Sequence, residues 1–347
     1  MRLPFALLAL LPGSVASCAA GGSHNSADKP RRSLETLIVL NKAEATASLV
    51  APDSGETRAS LPVGSGPHEA ICTPDGKLAI VCNYGEQKPG STLTVIDVVA
   101  GTVVKTISLG EHRRPHGIAM APDGRSVLVT SETSQKLLRI DLDSGSVASE
   151  WPTTQKGSHM VATSKRFDRA FTANVLSGSM SALELPSGSL LGVVETGAGA
   201  EGIAFHDERG EVWVSNGGAG SISVVESGPL REIAELPCPG RPLRVIFTND
   251  GRHALAPCVE GAEIAVFDVA TRQLTQRIEV AGPAPSASGP PPLPIGILLD
   301  PARPRAFISL MGANAVAELD LTTWKVVRHI SVGKAPDGLA WSSVSLG

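Results

Sequence analysis

No stretch of this 347-residue chain sustains the 3.6-residue apolar period of a helix, and no Lys/Arg cluster exceeds the pairs Arg31-Arg32 and Arg113-Arg114. The first absence excludes a helical bundle. The second, with a net charge of −4, excludes a basic face and with it nucleic acid as a partner. Catalytic and cofactor motifs are scarce too. There is no CxxC, no Cys/His zinc spacing, no GxSxG nucleophile elbow and no HExxH. "GEQKPGST" at Gly85 lacks the lysine of a phosphate loop. "GAGAEG" (197–202) satisfies G-x-G-x-x-G, but "IAFHDERGEVWV" follows it as strand, turn and strand. A dinucleotide fingerprint needs a helix there, so this is a turn between strands.

What is present is glycine and proline, 36 and 26 of them, with 42% hydrophobic residues. Many short elements joined by turns are expected, around a large core. The amino end is a targeting segment. Met1-Arg2 precedes "LPFALLALLPG", an apolar run too short to span a bilayer, and then "VASCAAGG". Val15-Ala16-Ser17-Cys18 resembles a bacterial lipobox, which would place the cleavage before a lipidated Cys18; cleavage after Ser17 or Ala20 with Cys18 incidental is the alternative. Ala19 does not resemble an inner-membrane retention signal. The expected organisation is a signal peptide over 1–17, a flexible linker over 18–33 and one folded domain over 34–347. The expected location is outside the cytoplasm, in the periplasm or at the cell surface, as an outer-membrane lipoprotein. Without Cys18, four cysteines remain: Cys72, Cys82, Cys238 and Cys258. In a hairpin turning at Asp75-Gly76, Cys72 and Cys82 fall out of register, so free or differently paired thiols are expected.

One unit recurs. "PHEAICTPDGKLAIVCN" starts at Pro67, "PHGIAMAPDGRSVLVTS" at Pro115, "SHMVATSKRFDRAFTAN" at Ser158, "AEGIAFHDERGEVWVSN" at Ala200, "PLRVIFTNDGRHALAPC" at Pro242 and "PIGILLDPARPRAFISL" at Pro294. Each continues into a third alternating run such as "KLLRIDLDSG" and a fourth ending near glycine, such as "KVVRHISVG". Period-two alternation with Pro-Asp-Gly and Asn-Asp-Gly turns makes four short strands per unit. Residues 34–64 hold only the last three strands of a unit, while "KAPDGLAWSSVS" near the carboxyl end holds only a first strand. The two complete each other, so the expected fold is all-β: a seven-bladed propeller of four-stranded blades, its ring closed by a composite blade.

The repeat "PHGIAMAPDGRSVLVTS…LLRIDLDSG" resembles that of the YVTN-repeat propeller family. The resemblance covers 34–347 and blurs where "KRFDR" and "PARPR" replace the Pro-Asp-Gly turn. It implies an exported or surface-associated seven-bladed propeller and no single chemistry.

In such a ring, the residue at the start of each first strand faces the channel mouth. In ring order these are Asp337, His68, His116, His159, Glu201, Leu243 and Ile295. The ends of the second strands give Asn41, Asn83, Ser131, Asn174, Asn216, Cys258 and Leu310. Both rings are polar on the same five blades, so a lopsided mouth is expected. His68, His116, His159, Glu201, Asp337, Asn83, Asn174 and Asn216 are the candidate ligand groups there. His68, His116 and His159 are the candidate metal ligands, suited to zinc, copper or iron over calcium. A structural role for the histidines, bonding to neighbouring backbone, is the alternative. Asp97, Asp141, Asp268 and Asp320 recur after third strands and read as turn caps. Insertions at 85–90 and 281–294 lengthen loops on the mouth face. The function expected is a binding scaffold, monomeric and held to the membrane only by lipid, whose partner is a cell-envelope protein or a small polar ligand. A lactonase-like hydrolase using Glu132, His116 and Arg114 is the rival.

Overall fold

A computed structural model describes residues 34–164, 166–281 and 291–347. The expected signal peptide over 1–17, Cys18, the expected linker over 18–33 and most of the proline-rich insertion lie outside the described residues. Among the described residues the strands form seven four-stranded antiparallel sheets. Six are continuous in sequence: blade 1 spans Pro67–Ser108, blade 2 Pro115–Pro152, blade 3 Ser158–Glu195, blade 4 Ala200–Pro237, blade 5 Ile246–Glu279 and blade 6 Pro294–Ser331. The seventh joins Pro336–Ser342 to Thr36–Asn41, then Thr46–Val50 and Thr57–Pro62. Its seam pairs Leu37 with Trp341 and Val39 with Leu339. The composite closure expected from the sequence is the one observed.

Both faces of each blade are covered, and the core is a set of layers, one between each pair of neighbouring blades. In blade 1, Ile80 and Cys82 pack against Ile118 and Val127 of blade 2. The intervening Ala79 and Val81 pack against Ile38 and Leu40 of blade 7. Successive strand side chains point to opposite faces, so one run feeds two layers. The layers are mostly Val, Ile, Leu and Ala, with Trp213, Phe171, Phe267 and Phe307 as the bulkiest buried groups. The blade 6–blade 7 seam is also braced by charge: Arg305 bonds Asp300 at 2.7 Å within its blade and Asp53 at 2.7 Å across it.

The glycine of "PHG" has a packing reason. A Cβ on Gly117 would lie 2.5 Å from the carbonyl oxygen of His159 in the next blade, and one on Gly338 would lie 2.2 Å from that of His68. Gly202 and Gly296 meet Leu243 and Asp337 in the same way. Inner strands therefore approach backbone to backbone at the channel, where no side chain fits. The Gly117 and Gly202 amides donate to Thr130 and Ser215 of the second strand, each at 2.9 Å. The register shifts at this point, between Pro115 and Ile118 or Ala200 and Gly202. This bulge re-aims the preceding residue, the histidine of "PHG", into the channel.

The recurring aspartates cap turns as expected: Asp97, Asp141 and Asp268 accept the amides of Ala100, Ser144 and Thr271 at 2.7–2.8 Å. The 85–90 insertion differs from expectation. It is an extension of the blade 1 hairpin, with Gly85 paired to Pro89, and not a lengthened loop.

Candidate functional site

The five polar mouth positions converge. His68, His116 and His159 come from the bulged first strands of blades 1, 2 and 3, and their rings stack in that order. Centroids are 4.1 Å apart for His68–His116 and 3.5 Å for His116–His159. Asp337 of blade 7 flanks the stack on one side, its Oδ2 3.4 Å from His68 Nδ1. Glu201 of blade 4 lies beyond the other side. The two aliphatic positions, Leu243 and Ile295, meet Val259 in a separate apolar patch. The lopsided mouth expected from the sequence is present.

Charged groups that the repeat alignment does not single out complete the site. Arg244 of blade 5, buried, reaches Glu69 of blade 1 at 2.6 Å and Glu201 at 3.6 Å. This triad links blade 5 to blades 1 and 4. Lys42, following the composite blade's second strand, sits 2.8 Å from His68 Nε2 and 3.3 Å from Asp337. Lysine is a donor only, so His68 accepts at Nε2 and carries its proton on Nδ1, toward Asp337. Tyr84, the chain's one tyrosine, donates to Glu132 Oε2 at 2.6 Å. Its ring stands edge-on to His116 and His68. Glu132 Oε1 lies 3.5 Å from His159 Nε2.

The histidines thus have unequal surroundings. His68 Nε2 is occupied by Lys42, while its Nδ1, 3.4 Å from Asp337 Oδ2, has no hydrogen-bond partner among the described residues. His116 is 1% exposed, and neither ring nitrogen has a hydrogen-bond partner among the described residues. His159 is 8% exposed, and its Nδ1 is also without a partner. Among the described residues two groups of donors lie close enough to hold an ion: His68, Glu69 and His116, and His116, Glu132 and His159. The expected trio of histidines is therefore divided between two sets sharing His116. In the first set, Glu69 is committed to Arg244 and His68 to Lys42. In the second, only the Tyr84 bond to the other oxygen of Glu132 intervenes.

The asparagines have a different place. Nδ2 of Asn83 donates to Thr92 and Thr94, that of Asn174 to Ser179 and Ser181, and that of Asn216 to Ser221 and Ser223, all within 2.9–3.3 Å. They tie second to third strands within their own blades, which uses both amide protons and leaves the Asn216 Oδ1 without a partner among the described residues. Arg114 lies beside Tyr84, at the edge of the same group. Its guanidinium lies 4.6 Å over the Tyr84 ring and bonds the Glu86 carbonyl at 3.0 Å.

Burial lowers the pKa of His68, His116 and His159 well below the usual histidine value, helped by the cations Arg244 and Lys42. Burial raises Glu69, Glu201 and Asp337 against the pull of Arg244 and Lys42, and raises Glu132 against the Tyr84 hydrogen bond and Arg114. The stack is neutral imidazole at neutral pH, and stability follows. The unfolded histidines bind protons at about pH 6.5 while the folded ones do not, so stability is lost as pH falls below about 6.5. The raised carboxylates act oppositely, adding stability as pH falls toward their ordinary range. Comparing the chelator-treated protein with its His116→Gln variant isolates one imidazole. Urea unfolding should show wild type losing about 1 kcal/mol more than the variant between pH 6.5 and 5.5. Parallel pH profiles would show that His116 titrates normally.

No family model matches this chain, and no curated protein matches it. Similar solved structures share its fold at low identity. Hydrazine synthase of Kuenenia stuttgartiensis superposes with a TM-score of 0.70 at 16% identity, covering 86% of this chain and 99% of that one. A functionally unknown protein from Desulfotomaculum acetoxidans DSM 771 gives 0.73 at 15%, covering 88% and 98%. The dihydro-heme d1 dehydrogenase NirN, solved in complex with DHE, gives 0.64 at 17%, covering 90% and 77%. At these identities the likeness is one of fold: the chain is a seven-bladed β-propeller.

Proposed function

We propose that this propeller binds a divalent transition-metal ion in its channel mouth, through His116, His159 and Glu132. The observation that carries the reading is His116, a buried imidazole between two others with both nitrogens unpartnered. A buried polar group without a partner is costly, and a metal ion would satisfy it. Imidazole and carboxylate donors suit zinc, copper or iron. Neutral imidazoles offer their lone pairs without first losing a proton. Tyr84 supplies the outer support, orienting Glu132 through the oxygen that faces away from His159. Three protein ligands leave a position for water or a small oxygen ligand. The test is the metal content of protein purified without chelator, with zinc titration of the stripped form. About one equivalent supports the reading, and no binding to wild type overturns it.

The proposal includes export and a lipid anchor, on the strength of Val15-Ala16-Ser17-Cys18. The full chain expressed in a bacterium should partition into detergent, and Cys18→Ser should move it to the aqueous phase. Equal partitioning of the two would remove the anchor.

A further inference from the structure

Blade 5 is the one blade whose inner strand is nearly lost. The other inner strands run six or seven residues, whereas this one is Ile246–Phe247. Upstream of it the bridge Pro242 to Cys258 and the amide bonds from Leu243 to Pro257 and from Val259 to Arg241 tie the chain to the second strand, with an interruption between Leu243 and Ile246. Yet this segment carries Arg244, the residue that links blade 5 to Glu69 and Glu201. Beside this interrupted ladder, two cysteines face one another. Cys238 follows the last strand of blade 4, Cys258 ends the second strand of blade 5, and their sulfurs are 3.6 Å apart with both residues fully buried. The other two cysteines have no such arrangement. Cys72 lies in the layer between blades 7 and 1 and Cys82 in the layer between blades 1 and 2, on opposite faces of one sheet.

We infer that Cys238 and Cys258 form a redox-dependent disulfide that staples the segment carrying Arg244 into the ring. The sulfurs need to close to about 2.05 Å, a small movement for side chains at the ends of short elements. The bond would enclose the shortened inner strand in a loop anchored at both ends, adding a covalent tie to the interrupted ladder. The oxidant is a disulfide, small-molecule or enzymatic. The Cys258 thiolate attacks one sulfur of that disulfide and expels the other as a thiolate. The Cys238 thiolate then attacks the Cys258 sulfur and expels the second thiolate. Two protein thiols are thereby oxidised and one external disulfide is reduced to two thiols, with the two cysteine protons passing to solvent or to the leaving thiolates. The hydrogen bond between the two thiols holds Cys258 below its usual range, while that shared bond and burial hold Cys238 up, which favours Cys258 as first attacker. Because both sulfurs are buried, the exchange takes place before the layer between blades 4 and 5 closes, or through opening of the two-residue strand. The inference stands without a bound metal.

The experiment uses the full chain with chelator present, so that metal binding has no part in the outcome. After equilibration in glutathione buffers of graded potential, the protein is acid-quenched, alkylated, digested and mapped by mass. A Cys238–Cys258 cross-linked peptide under oxidising conditions, with Cys72 and Cys82 alkylated throughout, is the expected result. Reduction should lower the wild-type Tm by about 5 °C and leave that of the Cys238→Ser/Cys258→Ser variant unmoved. Full alkylation of Cys238 and Cys258 in oxidised glutathione would overturn the inference, as would glutathione attached to either residue in place of the cross-link. The mass map on wild type decides the matter even if the double variant does not fold.

Discussion

Zinc binding to the stripped protein should weaken about 100-fold or more in His116→Ala and His159→Ala but only a few-fold in His68→Ala. The floor for the first two comes from losses of 10–100-fold when mere outer-shell partners of a metal ligand are removed; deleting a ligand itself exceeds that. His68 is predicted to differ because its acceptor nitrogen already receives the Lys42 ammonium at 2.8 Å and its other nitrogen faces Asp337. An ion at His68 would have to displace a cation from a buried carboxylate. Glu132→Gln should behave like the histidine ligands, and Tyr84→Phe should give an outer-shell loss of about 10–100-fold. The pH profile adds a second criterion. A site of ordinary histidines releases its ion as pH falls through about 6.5, because protons compete for the ring nitrogens. The lowered pKa values of His116 and His159 should keep affinity level across that range, with loss setting in at more acid pH. Isothermal titration at pH 7.5, 6.5 and 5.5 reads both effects. Equal losses in all three histidine variants would mean that the rings act together and that the division into two donor sets is wrong.

Arg244→Met should destabilise the propeller by about 3–5 kcal/mol at pH 8, the range for removing one partner of a buried ion pair. All three members of the triad are largely buried, so bulk water does not compensate Glu69 or Glu201 when the guanidinium is lost. The defect should shrink in acid, because burial already raises both carboxyls and without Arg244 they take up protons more readily. The double variant Arg244→Met/Glu69→Gln should lose less than the sum of its single variants, since the uncompensated charge is gone. Urea unfolding at pH 8 and pH 5 checks each arm. A loss under about 1 kcal/mol at pH 8 would place the triad with exposed ion pairs.

How much of this was legible in the chain differs between the ring and its contents. Blade number, composite closure and the polar arc of the mouth follow from local signals: alternation within a strand, Pro-Asp-Gly turns, and the missing first strand at one end matched by a spare at the other. The histidines could be placed because they occupy one column of the repeat. Arg244 and Glu69 stand in the next column, where four of the blades need glycine, and only the bulge makes that column face the channel. Their pairing joins residues 175 apart in sequence, which no local pattern encodes. The asparagines illustrate the converse. They share a column and are polar, as ligands would be, but each has hydroxyls opposite it on the third strand. "NVLSGSMS" in blade 3 and "NGGAGSIS" in blade 4 carry those serines at matching spacing, so this clamp could have been found in the sequence.

The seam of the composite blade has a consequence for how the molecule comes into being. Ser342 pairs with Thr36, so one blade draws on residues three hundred positions apart. A chain emerging amino end first exposes the free edge of Thr36–Asn41 until its last strand is available. Six blades can assemble while the ring stands open, and such long-range pairing is slow to form. Until then the waiting edge is as complementary to Pro336–Ser342 of another copy as to its own. Crowded refolding should therefore favour exchanged dimers, each chain lending its final strand to the other, whereas dilute refolding yields closed monomers.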